Sequence, residues 1–255
     1  DGSGTNGESP PMIDNCWFVV NYAERYGAGI FNDGRMGGDA SMYISNCNFF
    51  DNSSRVLGGA IFNDGENGKA SPTVSNTVFE KNGAQIGAAI RNLGINGEAS
   101  GIYTKCRFIG HKASSDGGAI ANDGAYGMTN PVFINCLFAK NRADGRGGVI
   151  INSTHPNGGQ SRSEFHFCTL ADNEATNGEA IYYSYANFEA HNSIIWGGSG
   201  IQIIDVGIAD PPTVENTIIQ DGYLLAPSAI DQNPLFVDPA TCDFRLQLCS
   251  PAIDV

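Results

Sequence analysis

A block of about thirty residues recurs along this chain of 255 residues. Asn15-Cys16-Trp17-Phe18 returns as Asn46-Cys47-Asn48-Phe49, Asn76-Thr77-Val78-Phe79, Lys105-Cys106-Arg107-Phe108 and Asn135-Cys136-Leu137-Phe138. The steps between the second residues are 31, 30, 29 and 30. A second signature keeps phase with the first. Gly27 to Asn32 reappears at Gly58 to Asn63, Gly87 to Asn92, Gly117 to Asn122 and Gly147 to Asn152. A fixed period of this size marks a solenoid, in which each repeat buries its apolar face only against its neighbours. Such a rod supplies long regular faces and needs no active site.

The type of solenoid follows from the runs inside one repeat. Helix-length patterns are absent, which argues against ankyrin and tetratricopeptide repeats. Short apolar or β-branched runs, such as Met42-Tyr43-Ile44 and Pro131-Val132-Phe133-Ile134, are bounded by Asn, Gly and Ser and read as strands. Three such runs occur per repeat, near Met42 to Ile44, Cys47 to Phe50 and Ala60 to Phe62. The expected fold is all-β: a single-stranded right-handed parallel β-helix of about eight rungs, each adding about 4.8 Å of height. Residues 1–224 form the rungs, the first of them incomplete, and residues 225–255 form a C-terminal tail that packs on or caps the helix.

Residues of equal phase should stack. Ile30, Ile61, Ile90, Ile120, Ile150 and Ile181 form one inward column. Phe18, Phe49, Phe79, Phe108 and Phe138 form a second, continued by Leu170, Ile195 and Ile219. Asn21, Asn52, Asn82, Asn141 and Asn173 form an asparagine ladder at a bend, with His111 substituting once. Asn suits such a place because it tolerates left-handed backbone and its amide can bond to the next rung. Later coils are shorter: Cys168, Ser193 and Thr217 follow at steps of 25 and 24. The difference lies in one loop, present at Asn32–Ser41, Asn63–Ser71, Asn92–Ser100, Asn122–Asn130 and Asn152–Ser161 and missing afterwards. Five loops of near-equal length should therefore stack into a ridge outside the core.

Composition narrows the partners. The formal net charge is −13 and Lys plus Arg total 14, the opposite of a nucleic-acid binder, and anionic membrane surfaces are disfavoured likewise. No apolar run approaches the roughly 20 residues of a membrane-spanning helix.

Candidate chemistry is sparse. Cys16, Cys47, Cys106, Cys136 and Cys168 share one phase with Thr77, Ser193 and Thr217, which implies a slot for small buried side chains. A straight column does not converge on a metal. Cys242 and Cys249 lie outside the repeats and are a disulfide candidate in an exported protein. Asp33, Asp64 and Asp123 share one ridge phase, interrupted by Leu93 and Ser153. Stacked carboxylates repel, so calcium is their candidate ligand, and plain turn chemistry is the alternative. No catalytic residue and no other cofactor is assigned. His111, His155, His166 and His191 form no Ser/His/Asp set. Arg107, Lys112, Lys140, Arg142 and Arg146 are the bases that a polysaccharide lyase would draw on, without a compact acid partner. Tyr182-Tyr183-Ser184-Tyr185 and Trp196 are either a sugar-stacking platform or core filling.

Two stretches resemble known families. The Gly-Gly-Ala-Ile elements Gly58–Ile61 and Gly117–Ile120, with the Phe-x-x-Asn elements Phe18–Asn21, Phe49–Asn52, Phe79–Asn82 and Phe138–Asn141, resemble the repeats of polymorphic outer-membrane-protein type autotransporter adhesins. Asn233-Pro234-Leu235-Phe236-Val237-Asp238-Pro239, Asp243-Phe244-Arg245-Leu246 and Ser250-Pro251-Ala252-Ile253-Asp254 resemble the ending of bacterial secreted β-helix proteins that carry variable surface anchors. The resemblance implies an exported bacterial protein at the cell surface or outside the cell. Asp1-Gly2 matches the phase of Asp33-Gly34, so neighbouring rungs or domains are expected on the N-terminal side. Three functions compete: a non-catalytic adhesive or stalk segment contacting neighbouring domains, chains, a glycan or a surface receptor; a polysaccharide lyase or glycosidase; and a carbohydrate-binding module. The first is the leading expectation.

Overall fold

A computed structural model describes residues 1–207 and 211–253. The chain winds as a parallel β-solenoid. One full turn contains four short strands, for example Tyr43–Ser45, Asn48–Phe50, Ser53–Ser54 and Ile61–Asp64. The strand at Ser53–Ser54 was not expected from the sequence. It has no apolar run, and only its stacking partners at Tyr22–Ala23 and Gly83–Ile86 make it a strand. The strands build four walls. The first and second walls each stack eight turns; the third stacks six strands and the fourth seven. The rung count is therefore six complete turns, ending with Gln160–His166, Thr169–Ala171, Glu174–Asn177 and Ile181–Ser184, followed by two partial ones.

Left-handed residues make the corners. Asn15, Asn46, Asn76 and Asn135 have φ between 47° and 53° between the first and second walls. Asp51, Lys81, Lys140 and Asp172 do the same between the second and third. Asn and Asp enter this region more readily than other side chains, so the repeated Asn before the Cys position is bend chemistry. The third corner belongs to Gly58 and its equivalents, where a Cβ would fall 2.3 Å from the Ile61 carbonyl oxygen.

Inside, the predicted columns stand in register. Ile30, Ile61, Ile90, Ile120, Ile150 and Ile181 pair in succession and continue to Ile203. Phe18, Phe49, Phe79, Phe108 and Phe138 stack with ring centroids 4.5, 4.9, 4.8 and 4.7 Å apart. That spacing is the strand-to-strand distance, so backbone pairing itself stacks the rings. A third inward column runs Ile44, Val74, Tyr103, Phe133 and Phe165. Each buried Phe contributes roughly 1.5–3 kcal/mol of transfer free energy.

Much of the polar interior is satisfied rung to rung, while among the described residues Arg91 Nε, Tyr103 Oη and His111 Nε2 are buried without a hydrogen-bond partner. The Asn21 backbone amide and Nδ2 donate to Asn52 Oδ1 at 3.1 and 2.7 Å; Asn52 repeats this toward Asn82 at 2.9 and 3.0 Å. Asn82 donates its amide to His111 Nδ1 at 3.0 Å, and the His111 amide donates to Asn141 Oδ1 at 3.1 Å. His111 is fully buried, and burial pushes its pKa down to about 3. Neutral imidazole thus supplies the acceptor that Asn oxygens supply elsewhere.

After Ile219 the chain folds under the last turn, where Tyr223, Ala226 and Ala229 pack against the core. A hairpin of Phe236–Asp238 and Asp243–Leu246 then lies on the outside of the second wall. There Phe236 and Phe244 cover Ala139, Ala171, Ile194 and Ile218. Asp254, the last residue of the tail motif, lies outside the described residues.

Candidate functional site

The ridge is a structured edge. Each loop leaves the fourth wall at an asparagine that stacks on its counterpart. Asn32 Nδ2 donates to Asn63 Oδ1 at 2.9 Å, Asn63 to Asn92 at 2.8 Å, Asn92 to Asn122 at 2.8 Å and Asn122 to Asn152 at 2.7 Å. This second asparagine ladder was missed, although five Asn at one phase were its signal. The next turns crowd the glycine two residues on: a Cβ on Gly34 would sit 1.7 Å from the Lys69 carbonyl oxygen. The return limbs form a fifth run of parallel bridges through Asp39, Lys69, Glu98 and Met128, whose strand Met128–Thr129 pairs with Gln160–Ser161. Beneath them Ala40, Ala70, Ala99 and Thr129 are buried. A hydroxyl ladder closes the base: the Ser71 amide donates to Ser41 Oγ at 3.2 Å, Ser100 to Ser71 Oγ at 2.9 Å and Asn130 to Ser100 Oγ at 2.9 Å. The loops were expected to lie outside the core. Their buried feet and shared hydrogen bonds correct that expectation.

The crest is what solvent meets. Met36, Asn67, Asn96 and Tyr126 hold one phase at φ of 60, 54, 50 and 57°. Asn suits this left-handed backbone; Met and Tyr do not. Both nevertheless stand there exposed, Met36 at 69% and Tyr126 at 53%, and His155 stacks on Tyr126 at 4.5 Å.

The ridge carboxylates have arginine partners. Asp33 and Asp64 are neighbours in register, Leu93 follows, and Asp123 pairs with Leu93. Arg35 grips Asp33 with two hydrogen bonds of 2.8 and 2.6 Å and lies 3.6 Å from Asp64. That contact holds the Asp33 carboxyl below the usual carboxylate range, while burial pushes Asp64 up. Asp123 takes a 3.1 Å bond from Arg91, whose side chain is buried. Each carboxylate also accepts the backbone amide two residues on, at 3.2 Å, which is turn chemistry. Guanidinium groups supply positive charge beside Asp33 and Asp123. Among the described residues no group of three or more His, Cys, Asp or Glu is arranged to hold a metal ion.

The other candidates are dispersed. Asp116 takes Arg146 at 2.8 Å, and Arg142 bridges Asp144 at 3.2 Å and Glu174 at 2.8 Å. His166 and His191 stack at 5.0 Å beside Glu164, Glu189 and Glu215. Cys47, Cys106, Cys136 and Cys168 are buried, each thiol donating to the carbonyl two residues before it. Burial pushes the Cys47 and Cys168 thiols up. Cys242 is half-buried, Cys249 is exposed, and both are free thiols. The tyrosine run divides: Tyr183 is buried, Tyr182 faces Arg146, and Tyr185 is 47% exposed. Trp196 packs beneath the tail hairpin.

With this geometry in place, comparison with known families gives one match. The Chlamydia polymorphic membrane protein repeat fits residues 46–64, which span one corner-to-ridge passage from Asn46 to Asp64. The chain carries a β-helix repeat of that kind. Neither curated proteins nor solved structures give a match. Among the described residues no helix is long and apolar enough to cross a membrane.

Proposed function

We propose that this segment is a non-catalytic part of an exported bacterial surface protein and acts by presenting surface, in adhesion or as a stalk. The ridge crest is its contact face. The observation that supports this most directly is Met36 and Tyr126, two large side chains held exposed on left-handed backbone at one phase of a stacked edge. Strained, exposed positions of this kind are kept where they do something other than stabilise. Regular spacing along the crest suits multivalent contact with a partner chain, a glycan or a surface receptor. The name of the matching repeat family agrees with a membrane-associated setting. The alternative, a polysaccharide lyase or glycosidase on the same fold, draws less support. Two of the five bases it would use are engaged in rung-to-rung ion pairs, Arg146 with Asp116 and Arg142 with Glu174.

The test is substitution at the crest. Met36→Gly, Asn67→Gly, Asn96→Gly and Tyr126→Gly suit the backbone there and should leave melting nearly unchanged. Combined, they should weaken attachment of protein-coated beads to a host or bacterial surface stepwise. Attachment that survives all four substitutions removes the crest as the contact face. Robust product formation from acidic or neutral polysaccharides, abolished by replacing one carboxylate or base, promotes the enzyme reading. Non-reducing peptide mapping should find Cys242 and Cys249 as separate free thiols, and a linked peptide would restore the disulfide that the sequence suggests.

A further inference from the structure

The ridge stops while the body continues. Its bridge series ends at Gln160, opposite Met128, and the next turn brings Tyr185 to Asn187 around without a loop. The missing loop leaves a step with a cavity of about 350 Å³, walled by Gln160, Arg162, Tyr185 and Asn187. This is large enough for a small ligand.

Three features of the step decide what fits. Tyr185 offers a ring at its wall. Its backbone is left-handed, at φ 50°, and its amide is tied to the Val206 carbonyl at 2.8 Å. The ring rests against Gly207, where an added Cβ would fall 2.5 Å from its Cε1. The ring is thus held in place from behind and still 47% exposed. Gln160 accepts from Asn130 Nδ2 at 3.2 Å, which leaves its own amide nitrogen as a donor. Arg162 is fixed by Glu164 and Glu189, each at 2.8 Å. One cation between two carboxylates gives the step a net negative balance and repels an anionic ligand. A fixed aromatic face, amide hydrogen-bonding groups and no positive charge to spare describe a site for an uncharged, hydroxyl-rich ring.

We propose that the step at the end of the ridge binds a neutral glycan, one pyranose ring stacking on Tyr185 while Gln160 and Arg162 donate to its hydroxyls. This deepens the surface-presentation reading and rests on it. The remaining sequence candidate for a sugar platform thereby reduces to one tyrosine, because Tyr183 is core and Tyr182 is engaged by Arg146.

The test is titration of the whole chain with cellotetraose, maltotetraose, mannotetraose and N-acetylchitotetraose, with oligogalacturonate as the charged comparison. At least one neutral oligosaccharide should bind at one site per chain, with NMR shifts centred on Tyr185, Gln160 and Arg162. Tyr185→Ala should weaken it about tenfold and Tyr185→Phe about twofold or less, since the ring carries the stacking. Gln160→Trp, at an exposed position that tolerates bulk, should block the cavity and serves if Tyr185→Ala does not fold. The proposal is overturned if no neutral oligosaccharide binds, if binding survives both Tyr185→Ala and Gln160→Trp, or if oligogalacturonate binds as well. The crest substitutions leave this titration unchanged, so failure of the crest as contact face and failure of the step as sugar site read out separately.

Discussion

The turns that carry the ridge and the turns that lack it share one body and differ in what they attach to it. Asn52 to Asn82 spans 30 residues, whereas Cys168 to Ser193 spans 25 and Ser193 to Thr217 spans 24. The inward columns cross that boundary without a break: Phe138 pairs with Leu170, Leu170 with Ile195 and Ile195 with Ile219. The second asparagine ladder does break. Its phase passes from Asn152 to Tyr183 and then Asp205, and both are hydrogen-bonded to Tyr223 at the closed end. The body is thus set by stacked apolar columns, and the ridge is a separate structure with its own ladders. The turns beyond the ridge keep the first and second walls without any ridge loop.

The sharpest test of that division is a large deletion in each region. Phe79→Ala in the ridge-bearing part should cost about 3–5 kcal/mol, and Ile195→Ala beyond it about 2–5 kcal/mol. Both should lower the main unfolding transition seen by calorimetry. If Ile195→Ala left the first five turns melting as in the parent, the two regions would be separate cooperative units, as weakly coupled repeats can be.

His111 gives the next effect, and it belongs to the body. Its folded pKa is about 3, against 6.5 in the unfolded chain. The unfolded state therefore takes up a proton below pH 6.5 that the folded state refuses until about pH 3. Stability is fully present above pH 6.5 and is lost as pH falls, by about 2 kcal/mol at pH 5. His111→Asn restores the ladder amide and should remove this component from urea midpoints measured between pH 7 and 5. An unchanged pH slope would mean that His111 is not buried as a neutral ring.

Asn122→Ala should act on the ridge alone. It strips the partner from Asn92 Nδ2, at about 1–3 kcal/mol for a buried group left unpaired, and removes one of two donors from Asn152 Oδ1, which keeps Ser163 Oγ at 2.8 Å. Amide exchange should quicken in Asp123–Asn130 and in the facing loop around Ser153, while amides near Phe138 stay protected. Equal acceleration everywhere would show the ridge to be an integral part of the body.

How much of this was legible follows the same boundary. The body was readable because its columns repeat one residue type at one phase: the Ile, Phe and first Asn columns all stand as the spacing demanded. The strand at Ser53–Ser54 was not, because a two-residue strand between two bends carries no pattern of its own. On the ridge, loop lengths and carboxylate phase were visible. Arg35 and Arg91 were not seen as partners. Arg35 reaches back two residues and Arg91 reaches up one turn, and neither contact has a sequence period. The step beside Tyr185 arises from a loop that is missing, so only the three-dimensional stacking places Gln160 beside it.

The smallest effect concerns those arginines, and it decides what the ridge carboxylates are for. Arg35 is 39% exposed at its side chain, so its pair with Asp33 is screened, and Arg35→Ala should cost about 1 kcal/mol or less. In the parent a calcium ion would have to displace the guanidinium from Asp33 and would gain little. In Arg35→Ala, Asp33 and Asp64 stand adjacent with no guanidinium between them, and repulsion favours any cation that comes in. Millimolar calcium should leave the parent melting temperature unchanged and raise that of the variant by about 2–4 °C, the size of a 1 kcal/mol change in a chain this long. A calcium shift of that size in the parent would return Asp33 and Asp64 to the role of metal ligands. A shift in neither protein would leave them as turn formers whose charge Arg35 balances.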